Sequence, residues 1–264
     1  MALLNSFSSG VSAVKTFGKS LEVIGDNIAN VNSTGFKGSR VTNQDNFSQT
    51  FQEASVSTTG TSSNPMQIGS GTSVASISQQ FTQGVLSTTG SPTDLGIAGK
   101  GFFEVKNNDG ILFYTRAGDF RLDATGNLLT NGGLNVQSNT GANIAITTPE
   151  TVASFKVNKD GTIDVARLNG TIEKAISTIG LFSFSNPNAL KREGDNLLSN
   201  FTTAAGTKTP DTTSDIIQGT LELSNVDLTQ QFSDLILAQR AFQAGSRVIT
   251  VSDSVMEEII NLKR

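Results

Sequence analysis

Among its 264 residues the chain has no cysteine, no histidine and no tryptophan. Without cysteine, disulfides, thiol nucleophiles and thiolate metal sites are excluded together. Without histidine, the usual zinc sites, the Ser-His-Asp arrangement and the commonest general base are excluded as well. Any catalysis is thereby confined to carboxylate or lysine chemistry. Charge is also scarce. The 23 acidic and 19 basic residues leave a net charge of −4 with the signs mixed along the chain, which argues against a nucleic-acid partner. No apolar run approaches the length of a membrane span, so no direct membrane insertion is expected. The opening Met1-Ala-Leu-Leu-Asn-Ser lacks the basic and apolar regions of a cleavable signal peptide. Taken with the motifs weighed below, the expectation is a protein that is not an enzyme and holds no cofactor or metal. Its surface, heavy in Gly, Ser, Thr, Asn and Gln, suits a subunit buried on many sides by copies of itself.

What is present is concentrated at the two ends. Residues 224–264 contain no proline, and an apolar column of Leu228, Leu235, Phe242, Ile249 and Met256 returns every seventh residue. A heptad column held over roughly five heptads is the pattern of a coiled-coil or bundle helix that needs a partner along its length. At 1.5 Å per residue such a helix runs to roughly 50 Å. Ala238, Gly245 and Ser252 follow members of the column by three residues and would let a neighbouring backbone come close. Asn225 or Asp227 is placed to cap the helix N-terminus, and Lys263 and Arg264 to complement its C-terminal dipole.

Residues 3–31 repeat this logic. Phe7, Val14, Leu21 and Ile28 form one seven-residue column, Val11, Gly18 and Gly25 the adjacent one, and Phe17, Ile24 and Val31 widen the stripe. A glycine inside a helix costs about 1 kcal/mol relative to alanine, so two on a packing stripe predict close approach of another helix. The stretch from Asn27 to Lys37 should then end the helix, with Gly35 at positive φ and Phe36 anchoring the exit.

Between the ends the pattern changes. Residues 38–85 are polar and weakly patterned, which predicts an extended arm with one strand at 72–81. From residue 94 short apolar segments alternate with turn residues, including Asn108-Asp-Gly and Lys159-Asp-Gly, and predict antiparallel strands through Phe184. Residues 186–214 return to loop chemistry. Gly69-Ser-Gly and Gly99-Lys-Gly fall short of any phosphate-binding pattern. Glu104, Asp109, Asp119 and Asp123 are explained by strand alternation and turns rather than as a glycosidase pair. The expected class is α+β, with a discontinuous, coiled-coil-like bundle of N- and C-terminal helices plus a central antiparallel all-β domain. The expected boundaries are 1–35 for the first helix, 36–85 for the arm, 86–215 for the β domain and 216–264 for the second helix. Two sticky helical ends that outnumber their own partners favour repeated head-to-tail association.

Three ordered motifs also carry a resemblance. Asn27-Ile-Ala-Asn-Val-Asn-Ser-Thr-Gly-Phe-Lys37 is similar to an N-terminal signature of the bacterial flagellar axial (rod and hook) proteins, matching at Asn27, Ala29, Asn30, Thr34, Gly35, Phe36 and Lys37. Gly99-Lys-Gly-Phe-Phe-Glu-Val with Tyr114-Thr-Arg-Ala-Gly-Asp-Phe-Arg-Leu-Asp123 resembles the family's β motif. Gly219 to Leu228, containing Asn225 and Asp227, followed by Ala238-Gln239-Arg240-Ala-Phe242, resembles its C-terminal signature. The resemblance implies a structural subunit that self-assembles into a hollow helical tube and transmits torque. It implies a homo-oligomer that also meets other rod and hook proteins and the flagellar type III export apparatus. It implies a place in the basal body or hook, reached without a cleavable signal. Within the family the distal rod is the first expectation. A short hook subunit and a proximal rod subunit are the alternatives, and an adhesin or phage-tail-like subunit lies further off.

Overall fold

The computed structural model describes residues 2–54, 64–146, 152–200 and 204–262. They divide into two compact units, one drawn from Met1–Ala29, Ser39–Ser78 and Asp227–Arg264, the other from Asn30–Gly38 and Gln79–Val226. The sequence-based segments run through this division. The expected helical segment 1–35 contributes its last turn residues to the second unit, and the arm joins the helices.

The helical unit is built on α1 (Ala2–Ala29) and α2 (Leu228–Leu262). They run antiparallel: Ser6 faces Ser252 at 3.4 Å at one end, and Asn27 donates to Gln231 at 3.0 Å at the other. Neither helix contains proline, so nothing interrupts either backbone ladder. Asp227 supplies the N-cap of α2, its Oδ1 accepting from the N–H groups of Thr229 and Gln230. Asn225, the other candidate cap, is engaged elsewhere. Lys263 and Arg264 lie outside the described residues.

The arm is more structured than its composition predicts. Where one strand was expected, four form: β1 (Ser39–Asp45), β2 (Ser48–Gln52), β3 (Met66–Gly69) and β4 (Thr72–Gln79). β1 pairs with β4 and β2 with β3, the latter antiparallel with a register shift between Thr50 and Gln52. Gly71 allows the turn into β4 to lie against α1. There Thr72 N–H donates to Ser12 Oγ at 3.2 Å, and the buried Thr16 hydroxyl donates to Thr72 O at 3.3 Å. A Cβ on Gly71 would collide with the Ser12 hydroxyl, and its φ is +110°.

The β unit contains β5 (Leu86–Thr88), β6 (Leu95–Ala98), β7 (Phe102–Lys106), β8 (Leu112–Thr115), β9 (Phe120–Leu122), β10 (Leu128–Thr130) and β11 (Asn135–Val136). It continues with β12 (Val152–Val157), β13 (Thr162–Arg167), β14 (Ile172–Thr178), β15 (Leu181–Ser183), β16 (Lys191–Gly194), β17 (Leu197–Ser199), β18 (Thr209–Pro210), β19 (Asp215–Gln218) and β20 (Thr220–Glu222). The main sheet has the order β16-β17-β8-β7-β11-β10-β9, and β15 shares the edge of β7 with β11. A three-stranded meander β12-β13-β14 and the short pairs β19-β6 and β20-β5 complete it, and every registered pair is antiparallel. Leu95, Ile97, Phe103, Val105, Val136 and Ile163 lie at the centre of the main core. A smaller core gathers Phe102, Tyr114, Phe182 and Phe184, with Phe102 and Tyr114 each edge-to-face with Phe184.

Two expectations change here. The strand expected at 176–184 is divided at Gly180 between β14 and β15, and the packing there requires glycine, since a side chain would strike the Phe182 ring at 2.8 Å and the Ser138 carbonyl at 3.0 Å. The loop expected at 186–214 contains the β16–β17 hairpin. Its turn is Asp195-Asn196, both at positive φ, the two-residue geometry that matches strand twist.

Candidate assembly surface

The α1–α2 seam is made by the small residues. In α2 the buried positions are Ala238, Gly245 and Ser252, the column three residues behind the large apolar one. A Cβ on Gly245 would meet Val14 Cγ2 at 3.1 Å, and one on Gly10 would meet Ile249 Cγ1 at 3.0 Å and Val248 Cγ1 at 3.3 Å. Gly18 lies under Phe242, whose ring edge is 3.9 Å from where a Cβ would stand. Close approach at these glycines brings the helices near enough for the serine and asparagine bonds at either end. Val11, Val14, Leu21, Ile28, Leu235, Phe242 and Ile249 are half-buried on and beside this seam. Phe7, Gly25, Leu228 and Met256 are exposed. The columns legible in the sequence therefore divide into a face turned to the chain's own partner helix and positions left open.

A second constellation lies inside the β unit and was not anticipated as a cluster. Glu222, at the end of β20, is fully buried and accepts from Lys37 Nζ at 2.6 Å and from Arg116 at 3.3 Å. Its Oε1 also accepts the Gly84 N–H at 2.9 Å, while Lys37 donates a further bond to Thr82 O at 2.8 Å. Burial pulls the Lys37 ammonium below its ordinary 10.5, against the opposing pull of Glu222, and lowers Arg116 in the same way. Arg116 also lies 5.0 Å from the centre of the Phe102 ring. One carboxylate thus holds two cations from segments far apart in sequence and ties their backbones together.

The remaining motif residues serve the same junctions. Asn27 is buried at the end of α1, where its side chain bonds Ser39 N and O, both at 2.8 Å. Asn30 accepts from Ser33 Oγ at 3.1 Å and closes the turn that follows. Thr34 O accepts from Asn196 at 2.7 Å, and Gly35 N–H donates to Glu222 O at 2.7 Å. Gly35 has φ +68° and lies against the Arg116–Ala117 backbone, where a Cβ would stand 2.5 Å from Ala117 N. Phe36 is buried with Arg192 5.0 Å from its ring centre. Asn225 accepts from Gly38 N–H at 2.9 Å and donates to Gln80 O at 2.7 Å. Ala29, Gln239 and Arg240 are exposed.

A chain whose two ends pair as helices while its middle folds as β is built as a structural subunit of the axial type. Comparison with known proteins agrees along the whole length. Residues 7–37 match the family described as "Flagella basal body rod protein", residues 96–165 the "Flagellar hook protein FlgE/F/G D1 domain", and residues 217–262 the "Flagellar basal body rod FlgEFG protein C-terminal". The chain is 41% identical to the flagellar basal-body rod protein FlgG of Bacillus subtilis, over 99% of this chain and 100% of that one. It is 34% identical to FlgG of Agrobacterium fabrum over 97% of each, and 34% identical to FlgF of Caulobacter vibrioides over 93% of this chain and 92% of that one. The chain belongs to the flagellar rod and hook protein family, as a structural axial subunit of the flagellar rod.

Proposed function

We propose that the chain forms part of the distal rod of the basal body, assembling with copies of itself into a hollow helical tube that carries motor torque to the hook. In this reading α1 and α2 form the inner wall by packing against each other and against neighbouring subunits, and the β unit forms the outer wall. The observation that carries it is the pairing of the two chain ends as one antiparallel helix pair with apolar side chains still exposed on α2. The arm would bridge adjacent subunits. Its β2–β3 ribbon has every residue exposed, and Phe47 beside it is 96% exposed. An isolated two-stranded ribbon is marginal in water, so it gains from being covered in an assembly. The same reading makes the protein structural rather than catalytic, with the buried Glu222 carboxylate held by Lys37, Arg116 and Gly84. Export through the flagellar apparatus, without a cleavable signal, would deliver it across the envelope.

A proximal rod subunit is the second reading, since the chain is similar to the basal-body rod protein FlgF as well as to FlgG. An epitope tag on the full chain, located by gold labelling in isolated basal bodies, separates the two. Label next to the hook supports the distal position, and label at the membrane-proximal end overturns it.

A further inference from the structure

A cleft in the β unit, beside the Gly35-Phe36-Lys37 turn, is lined by three cations and, among the described residues, by no carboxylate. Its polar lining is Lys37, Gln79, Arg116, Arg192 and Asn196, and the rest is glycine and apolar side chain. Lys37 and Arg116 are buried, whereas Arg192 is exposed at the rim with its guanidinium 5.0 Å from the Phe36 ring centre.

The charges around this cleft do not balance. Glu222 is a single carboxylate shared between the Lys37 ammonium and the Arg116 guanidinium, and it is not part of the lining. Asp211 attracts Arg116 from further away, but it accepts from Thr213 and Ser214 and does not line the cleft either. The Arg116 Nε is buried and donates to no protein atom. A buried guanidinium with an unused donor and half a counter-charge is costly to keep. A water molecule would satisfy the donor and leave the excess charge in a medium of low dielectric, whereas an anion answers both. Size narrows the choice. The cleft holds about 20 Å³, room for one particle the size of a water or a halide and too little for a phosphate group.

We propose that this cleft binds a single small monovalent anion, chloride in particular, held by Arg116 from the floor and Arg192 from the rim. Lys37 contributes its charge, since its hydrogen bonds go to Glu222 and Thr82 O. The bound ion joins the turn at residues 35–37, the end of β8 and the β16–β17 hairpin, so the stability of the β unit is linked to chloride.

Urea unfolding of the dilute full-length chain, with chloride replaced stepwise by gluconate at constant ionic strength, tests it. Gluconate is too large for the cleft. The wild-type midpoint should climb with the logarithm of chloride concentration once the site begins to fill, and bromide should act as chloride does. Arg192→Gln changes an exposed residue, so the fold should persist while the climb moves to several-fold higher chloride. Arg116→Met removes the unused donor together with the unbalanced charge and should flatten the climb. Equal wild-type midpoints in chloride and gluconate would mean that no anion is held there and would overturn the proposal. A chloride dependence left unchanged by Arg192→Gln would place the ion elsewhere on the chain and overturn it equally, whether or not Arg116→Met folds.

Discussion

Glu222 has no solvent exposure, two cationic partners and a backbone N–H to satisfy, so its loss is not a local event. Glu222→Gln leaves Lys37 and Arg116 buried without their counter-charge, which should lower the unfolding free energy by about 3–5 kcal/mol in urea titrations. Replacing Lys37 by methionine should cost much less, because it removes the desolvated charge along with the bond. The pH dependence follows from the same burial. Lys37 has a folded-state pKa below its unfolded 10.5, so the unfolded chain binds that proton more tightly, and stability rises with pH between the two values. The buried Tyr114 phenol, raised by burial and by Glu104, acts oppositely above about pH 10, where stability falls as the unfolded phenol ionises. The advantage of wild type over Lys37→Met should therefore widen as pH rises from 7 towards 10. A constant difference would contradict the assigned burial. At Gly35 the requirement is both conformational and steric, and Gly35→Ala should destabilise by roughly 2 kcal/mol or more. The sequence showed that position as a turn glycine. It did not show that Ala117 would press against it, because that contact joins segments about eighty residues apart.

At the scale of elements, the helices were legible because a seven-residue repeat is a local signal, and both ends carry it in full. The columns left open which face each helix would turn to its own partner. Ala238, Gly245 and Ser252 proved to be the buried ones, because the helices approach through their smallest side chains, while Leu228 and Met256 stayed exposed. Gly245→Leu should accordingly separate the pair, and Phe242→Asp should do the same by placing a charge beside Gly18. Loss of helicity and faster proteolysis at both ends would report it, with the β unit's cooperative unfolding preserved. The arm and the β16–β17 hairpin were harder to see. Polar strands such as Ser39–Asp45 carry no apolar alternation, and their pairing is set by partners distant in the chain. The Asp195-Asn196 turn was the one local cue for the hairpin.

For the molecule as a whole, stability and assembly are expected to be coupled. Two amphipathic helices with much of one apolar stripe uncovered gain most of their stability from packing, so the pair should be protease-sensitive in dilute protein and protected once polymerised. The charge knot at Glu222 and the meeting of α1 with α2 both need the first and last parts of the chain together. The central claim is that each chain's own ends form the pair. Because the chain has no cysteine, Ser6→Cys with Ser252→Cys gives an unambiguous probe at a contact of 3.4 Å. Mild oxidation followed by non-reducing electrophoresis should give a cross-link within single chains, at monomer mass, in both free and assembled protein. A ladder of chain-to-chain species, or thiols that stay free, would contradict it.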